Sequence, residues 1–101
     1  LPSTVRDKLT ARIERLAEVG HELRRPEADV LRDGIYELRV RRQRVNYRIL
    51  YFFNGREFAI LGHGIVKEAE VPDAEIERAI KRRDAFVKNP AQHTYEVEDH
   101  D

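Results

Sequence analysis

Residues 45–53, VNYRILYFF, restrict the fold of this chain more than any other segment. Their aromatic and β-branched side chains occupy both sets of alternating positions, so both faces of an extended strand would be largely apolar. Such a strand belongs in the centre of a sheet that is covered on both sides. Asn54 and Gly55 follow directly, and this pair is a strong signal for a two-residue type I′ hairpin turn. The segment therefore predicts a central strand that continues into a hairpin.

Two neighbouring strands are predicted. Residues 35–40, IYELRV, alternate apolar and polar side chains, as a strand with one buried face does. The return strand of the hairpin is predicted over residues 56–66, with a bulge or bend near Gly62 and Gly64.

Helices are predicted at both ends of this strand region. Apolar side chains recur at helical spacing over residues 3–20 and again over residues 71–89. Residues 21–31 contain Pro26 and are predicted to form a loop with at most one further helical turn. We therefore expect an α+β fold: a small antiparallel sheet of three to four strands, with the N-terminal helix or helices packed on one face, and a C-terminal helix.

The composition is that of one globular domain. Hydrophobic residues make up 41% and charged residues 38% of the 101 residues, enough for one modest core. We expect a single domain over residues 1–101, with an ordered core over about 3–89 and an acidic tail over 90–101. No apolar run approaches the ~20 residues of a membrane span, and no signal-peptide pattern is present.

The chain contains neither cysteine nor methionine, and each absence carries an expectation. Without cysteine there can be no disulfide and no thiolate metal site, which is typical of a cytoplasmic protein. Without methionine, the natural start is expected to lie outside this chain.

Positive charge is concentrated in one hairpin although the whole chain is neutral. Residues 1–50 hold twelve Lys/Arg against eight Asp/Glu, a net charge of +4, whereas residues 51–101 hold seven against eleven, a net charge of −4. Residues 39–48 alone carry five arginines, and the last six residues carry four acids. A basic patch of this kind favours a polyanion or an acidic protein as the partner.

The turns predict which side chains share a face. A turn centred on residues 43 and 44 would place Arg39 opposite Arg48, and the Asn54-Gly55 turn would place Arg48 opposite Leu61. Asn46 would then face His63. Strand alternation would bring seven side chains to one face: Arg39, Arg41, Asn46, Arg48, His63, Ile65 and Lys67.

Directly opposed arginines indicate an anion site. Like charges across a strand pair cost stability, but two guanidinium groups can together hold a phosphate by charge-assisted bonds. The alternative is that Arg48 pairs with Glu37, while Arg41, Arg42 and Arg44 form a solvated basic edge. His63 beside Arg48 is either a group that transfers protons near neutral pH or a structural residue. No His/Asp/Glu cluster has metal-ligand spacing, and no phosphate-binding glycine loop is present.

Residues 24–83 resemble the phage-derived, HigB-like branch of the RelE/ParE toxin superfamily. The motifs that carry the resemblance are GIYELRV, YRILYFF, GHGIVK and PDAEIERAIKRR, in this order and spacing. The resemblance implies a toxin of a type II toxin-antitoxin system that cleaves messenger RNA on the ribosome without a metal or other cofactor. In such a toxin the 2′-hydroxyl attacks the neighbouring phosphate and leaves a cyclic phosphate.

The same resemblance implies roles for individual residues. Arg48 matches the arginine that stabilises the phosphate charge, Arg39 matches a basic residue lining the site, and Lys67 matches a basic residue at the end of the last strand. Together with His63 these are the predicted catalytic residues. The predicted RNA contacts are Arg41, Arg42, Arg44 and Asn46.

Partners and alternatives also follow from the resemblance. It implies a cognate antitoxin, of helix-turn-helix type in this branch, in a hetero-oligomer with the toxin. The chain differs from the family in lacking a first strand before the helix, in carrying Glu68 and Glu70 where lysines are common, and in having no clear C-terminal acid–base group. Two alternatives therefore stay open: a ParE-like inhibitor of DNA gyrase without nuclease activity, and a non-toxic RNA- or protein-binding remnant.

Overall fold

One antiparallel sheet lies between two helices. The computed structural model describes residues 2–66, 70–88 and 95–96, with the side chains of residues 2–61 and 70–88. The predicted α+β fold is confirmed. The elements, in chain order, are α1 (Ser3–Val19), a short 3-10 helix (Gly20–Glu22), β1 (Ala28–Arg32), β2 (Ile35–Arg42), β3 (Val45–Asn54), β4 (Glu57–Val66), α2 (Asp73–Lys88) and β5 (Tyr95–Glu96).

The strands lie in the sheet in the order of the sequence, each antiparallel to the next. β3 is central, as its sequence predicts, and the six residues from Tyr47 to Phe52 are all buried. The two-residue strand β5 pairs with the start of β4, opposite Glu57 and Phe58. No helix within the described residues is long and apolar enough to cross a membrane.

The two helices cover opposite faces of the sheet. Val5, Leu9 and Leu16 of α1 are buried against alternate residues of β2 and β3, including Leu38 and Ile49. α2 packs on the other face, where three of its residues join a second core cluster. That cluster contains Ile35, Leu50, Phe52, Ala59, Leu61, Ile76, Ala79 and Phe86. The burial of residues 49–52 of β3 therefore results from a helix on each side of the sheet.

The segment predicted as a loop over 21–31 contains a strand instead. β1 pairs with β2, and Asp33 and Gly34 form the connection, with φ angles of 53° and 79°. Positive φ at both central residues is the type I′ geometry that favours an Asp-Gly hairpin. Pro26 precedes β1 and takes no part in its pairing, so it does not interrupt the strand.

The turn between β3 and β4 is displaced from its predicted position by one residue. Asn54 pairs with Glu57 and Phe53 with Phe58, so Gly55 and Arg56 occupy the turn. Gly55 has a φ of 65° and Arg56 does not have a positive φ. This matches a type II′ turn, which requires glycine at its first central position. The prediction that Phe53 faces Arg56 is therefore wrong.

A bulge in β4 changes the register beside Arg48. Leu50 pairs with Leu61, but Arg48 pairs with Val66, so β4 has extra residues in this region. The predicted bulge near Gly62 and Gly64 is confirmed. The predicted pairings of Arg48 with Leu61 and of Asn46 with His63 are wrong for two reasons. The displaced turn already places Leu61 opposite Leu50, and the bulge then shifts the register again before Arg48.

Candidate functional site

Arg39 and Arg48 are direct cross-strand partners on the face of the sheet opposite α1. This pairing confirms the predicted register of β2 and β3, and Gln43 in their turn adopts a φ of 56°. Arg48 is buried, with 6% of its surface exposed, whereas the Arg39 side chain is 31% exposed. Two guanidinium groups therefore meet at a position where one is almost fully removed from water.

A buried carboxylate offsets their repulsion. Glu37 Oε2 lies 3.1 Å from Arg48 Nε, and Glu37 Oε1 lies 3.8 Å from Arg39 Nε. The pairing of Arg48 with Glu37, the alternative that the sequence left open, is thus formed. Burial raises the pKa of Glu37, and the positive charges of Arg48 and Arg39 oppose that rise. Among the described residues, Oε2 has no hydrogen-bond partner, so its contact with Arg48 is an ion pair without hydrogen-bond alignment.

These three residues lie in a cleft of about 400 Å³. The cleft runs between the sheet and the segment that leads into α2, and its lining comprises Arg25, Asp29, Leu31, Glu37, Arg39, Arg48, Glu70 and Val71. α2 covers the Phe52 end of this sheet face and leaves the arginine end open. The cleft therefore lies on the part of this sheet face that α2 does not cover.

Charged contacts hold α2 in that position. Arg32, at the end of β1, lies 2.7 Å from both Asp73 and Glu77 in the first turns of α2. Arg83 of α2 donates a hydrogen bond to the backbone carbonyl of Asp33. The β1–β2 hairpin is thus fastened to the helix that borders the cleft.

The formal charges that line the cleft cancel. Three arginines face three carboxylates: Arg25, Arg39 and Arg48 against Asp29, Glu37 and Glu70. Arg25 binds Asp29 at 2.7 Å, and this hydrogen bond lowers the pKa of the Asp29 carboxyl. Protonation of Glu37 would leave the cleft with one net positive charge.

Positive charge that has no acidic partner among the described residues lies at the tip of the β2–β3 hairpin. Arg41, Arg42 and Arg44 form no ion pair within the described part of the chain. Lys8 of α1 donates a hydrogen bond of 2.9 Å to the Arg41 carbonyl and adds its charge to the same tip. Asn46 is the cross-strand partner of Arg41 and is half-buried. The exposed positive charges of the tip therefore lie next to the end of the cleft that is lined by Arg39 and Arg48.

The comparison with family models decides the class of protein. A model described as phage-derived protein Gp49-like (DUF891) matches residues 1–84. The chain belongs to this Gp49-like family. The family is of the RelE/ParE-like toxin type, so the resemblance predicted from the motifs is confirmed at that level. Neither a curated protein nor a solved structure matches the chain.

The roles of all predicted site residues of this Gp49-like protein stay predictions, and for two of them the structure gives no side-chain position. His63 belongs to β4, but its side chain lies outside the described residues, and Lys67 lies outside them entirely. Their shared face with Arg48 does not follow from the register, because the bulge breaks the alternation on which it depended. Within the described residues, no group of three or more His, Cys, Asp or Glu side chains is placed to hold a metal.

Three charged residues of the cleft lining were not predicted from the sequence. Arg25, Asp29 and Glu70 enter the lining because β1 forms next to β2 and because the chain returns across the sheet before α2. The sequence did contain a signal for β1. Asp33-Gly34 flanked by apolar runs is a hairpin signal of the same kind as Asn54-Gly55, and it implies a strand on both of its sides.

A second groove, of about 380 Å³, lies along the outer side of α2, lined by Arg78, Lys81, Arg82 and Ala85. Arg78 is 3.5 Å from Glu75, one helical turn earlier. Lys81 and Arg82 are exposed and form no ion pair with a described residue. This groove provides positive charges that can be altered without touching the cleft.

Proposed function

We propose that this Gp49-like protein is the toxin of a type II toxin-antitoxin system and that it cleaves messenger RNA on the ribosome, as the HigB-like branch does. Its membership of a RelE/ParE-like toxin family supports the toxin role. The observation that carries the nuclease proposal is the opposed pair Arg39 and Arg48 in an open cleft. Two guanidinium groups at adjacent positions suit one phosphate group.

The proposed reaction needs no metal. The 2′-oxygen of the RNA forms a bond to the adjacent phosphorus, the bond from phosphorus to the 5′-oxygen breaks, and a cyclic phosphate remains. The 2′-hydroxyl gives its proton to a base, and the departing 5′-oxygen receives one. Arg48 and Arg39 would stabilise the negative charge that develops on the phosphorane oxygens, and the positive charge of Lys67 would add to that stabilisation. His63 is proposed for the proton transfers.

The RNA path is proposed to cross the hairpin tip. Arg41, Arg42 and Arg44 would contact backbone phosphates, and Asn46 would contact the RNA beside them. The tip suits this role because its arginines have no acidic partner among the described residues. Contacts of this kind supply affinity that falls with salt.

Mapping of transcript ends tests the nuclease proposal. On induction in a bacterial host, we expect growth arrest together with new 5′ ends inside coding regions, and loss of those ends when translation is blocked. A Lys81→Gln variant, altered on the outer side of α2, should produce the same ends and serves as the control. Growth arrest without new ends would contradict the proposal.

A second candidate function is inhibition of DNA gyrase without catalysis. The observation that favours it is the balance of charge in the cleft, because a phosphate must enter beside three carboxylates. An assay of gyrase supercoiling with the purified protein separates the two functions. Inhibition of supercoiling without RNA cleavage would select the gyrase inhibitor, and a protein inactive in both assays would be the non-toxic RNA- or protein-binding remnant.

The proposed partner is an antitoxin of helix-turn-helix type encoded beside this protein, and the proposed location of the complex is the cytoplasm. The toxin type of the family supports a partner of this kind. We expect an interface of the standard size, about 1,600 Å² or more. Co-expression with the neighbouring gene should abolish growth arrest and yield a stable complex on size-exclusion chromatography, whereas two proteins that elute separately would contradict this.

A further inference from the structure

We propose that Glu37 occupies the place of a bound phosphate, and that an anion binding between Arg39 and Arg48 is accompanied by the uptake of one proton by Glu37. Glu37 would thereby act as a positioning residue that holds both arginines ready for the ligand. The inference takes from the proposed function only that the natural anion is an RNA phosphate. An anion site of this kind does not require that the RNA is cleaved.

The geometry of Glu37 is that of an internal substitute for an anion. Its two carboxylate oxygens face one guanidinium group each, at 3.1 Å and 3.8 Å. Glu37 is 5% exposed, and within the described residues its Oε2 atom receives no hydrogen bond. A carboxylate that was needed only for stability would normally be satisfied by donors when it is buried this far.

An ionised Glu37 would oppose the entry of a phosphate. A phosphate that binds Arg39 and Arg48 approaches the same guanidinium groups as the carboxylate, and two anions close together in a partly dry cleft repel each other. Protonation of Glu37 removes one of the two negative charges. The lowest free energy of the complex is therefore reached when the anion enters and Glu37 takes up a proton.

The other charges around Glu37 do not replace it in this role. Among the residues with described side chains, the groups that face it from β1, β2, β3 and the approach to α2 are Arg25, Asp29, Arg39, Arg48 and Glu70. Asp29 is the closest competitor, because it is the cross-strand partner of Glu37. Its carboxyl binds Arg25 and its pKa is lowered, so it stays ionised at neutral pH. Glu70 is exposed to solvent. Glu37 is the buried carboxyl, and burial raises its pKa.

Sulfate is the probe that tests the inference, because its charge does not change between pH 5 and pH 8, whereas phosphate titrates in that range. Sulfate affinity is measured by calorimetry on the full chain, with the Nε–Hε signals of arginine followed by nuclear magnetic resonance. For the wild type we expect the affinity to increase as the pH falls, by up to about tenfold per pH unit, as one coupled proton requires.

Two variants make the test specific. Glu37→Gln should bind sulfate about tenfold or more tightly than the wild type at pH 7.5, with an affinity that is nearly independent of pH. Asp29→Asn removes a neighbouring carboxylate that the inference does not use. This control should retain the pH dependence of the wild type, even if its affinity changes.

A direct measurement covers the case in which Glu37→Gln does not fold. Titration of the wild type with sulfate in buffers of different ionisation enthalpy gives the number of protons taken up, which should approach one below neutral pH. No proton uptake, no sulfate binding, or weaker binding by a folded Glu37→Gln variant would each overturn the inference. A failure of transcript-end mapping would instead concern the proposed cleavage, since sulfate binding involves neither RNA nor ribosome.

Discussion

Glu37 and Arg48 form an ion pair in the interior of the sheet, with 3.1 Å between Oε2 and Nε and only 7% of each side chain exposed. Two charges removed from water in this way cost free energy that their attraction only partly returns. The pair nevertheless spans β2 and β3 next to Arg39, beside an open cleft. Its presence is better explained by the arrangement of the arginines than by stability.

Removal of one member of this pair should be more harmful than removal of both. Arg48→Ala leaves the Glu37 carboxylate buried without its nearest cation, which we expect to lower the free energy of unfolding by about 3 kcal/mol at pH 7.5. The double variant Glu37→Gln/Arg48→Ala should recover at least half of that loss. Urea denaturation followed by circular dichroism measures both values. A double variant less stable than Arg48→Ala alone would contradict the account of this pair.

The stability of the wild type relative to Glu37→Gln should depend on pH in a defined direction. The pKa of Glu37 is raised above its ordinary value of 4.5, so the folded state binds this proton more tightly than the unfolded state. Its contribution to stability is therefore greatest at low pH and declines as the pH rises through the folded pKa. Free energies of unfolding are measured from pH 4.5 to pH 7.5. As the pH falls, the value for the wild type should increase relative to the value for Glu37→Gln. A difference that is constant over this range would disagree.

The hydroxyl group of Tyr51 offers a test of the core. Tyr51 is fully buried beneath α1, and its hydroxyl has no hydrogen-bond partner among the described residues. Burial also raises the pKa of this phenol. Because an unsatisfied buried hydroxyl costs about 1–3 kcal/mol, Tyr51→Phe should stabilise the protein by about 1 kcal/mol. Thermal denaturation measures this change. Tyr36 is half-buried, so Tyr36→Phe is the control and should change stability little. A loss of stability in Tyr51→Phe would instead mean that the Tyr51 hydroxyl forms a hydrogen bond.

The hairpin tip should account for the salt dependence of RNA binding. Arg44 is exposed and without an ion pair in the described chain, so Arg44→Gln should leave the fold intact and remove about one unit from the slope of log affinity against log salt. Lys81→Gln also removes one positive charge, but from the outer side of α2. Its slope should differ from the wild-type slope by less than about half a unit. Fluorescence anisotropy with a short RNA at several salt concentrations gives both slopes. Equal effects of the two variants would assign the attraction to net charge alone.

The sequence predicts the parts of this fold that depend on neighbouring residues. The β2–β3 register follows from the turn at residues 43 and 44, since the two strands are joined by that turn alone, and it places Arg39 opposite Arg48 correctly. The helical spacing of apolar residues likewise predicts one apolar stripe on α1, formed by Val5, Leu9, Ile13, Leu16 and Ala17. Three of these, Val5, Leu9 and Leu16, are buried, and the other two are half-buried. In both cases the information lies within one turn or one helix.

The errors arise where distant segments decide the structure. The bulge opposite Arg48 depends on how β4 fits the twisted sheet, and the glycines indicated a bulge without fixing its size. The burial of Glu37 depends on β1, which was predicted as a loop, and on residues 70 and 71 before α2, which are distant from Glu37 in the chain. The alternation of side chains along β2 predicts that Glu37 shares a face with Arg39. It contains no information on the segments that cover Glu37 and remove it from solvent.

Arg39 and Arg48 should act on one phosphate as a pair. Replacing either by lysine keeps a positive charge near Glu37 but removes the planar, two-point contact that only arginine makes. If both arginines hold the same phosphate, each single variant should lose about 100-fold in the single-turnover rate of cleavage on programmed ribosomes, or about 3 kcal/mol. The double variant should lose little more than the worse single variant, because the clamp works as a unit. Arg41→Lys, two residues further along the same strand, is the matched control and should stay within threefold of the wild type. Losses that multiply in the double variant would instead mean that the two arginines contact different groups of the RNA.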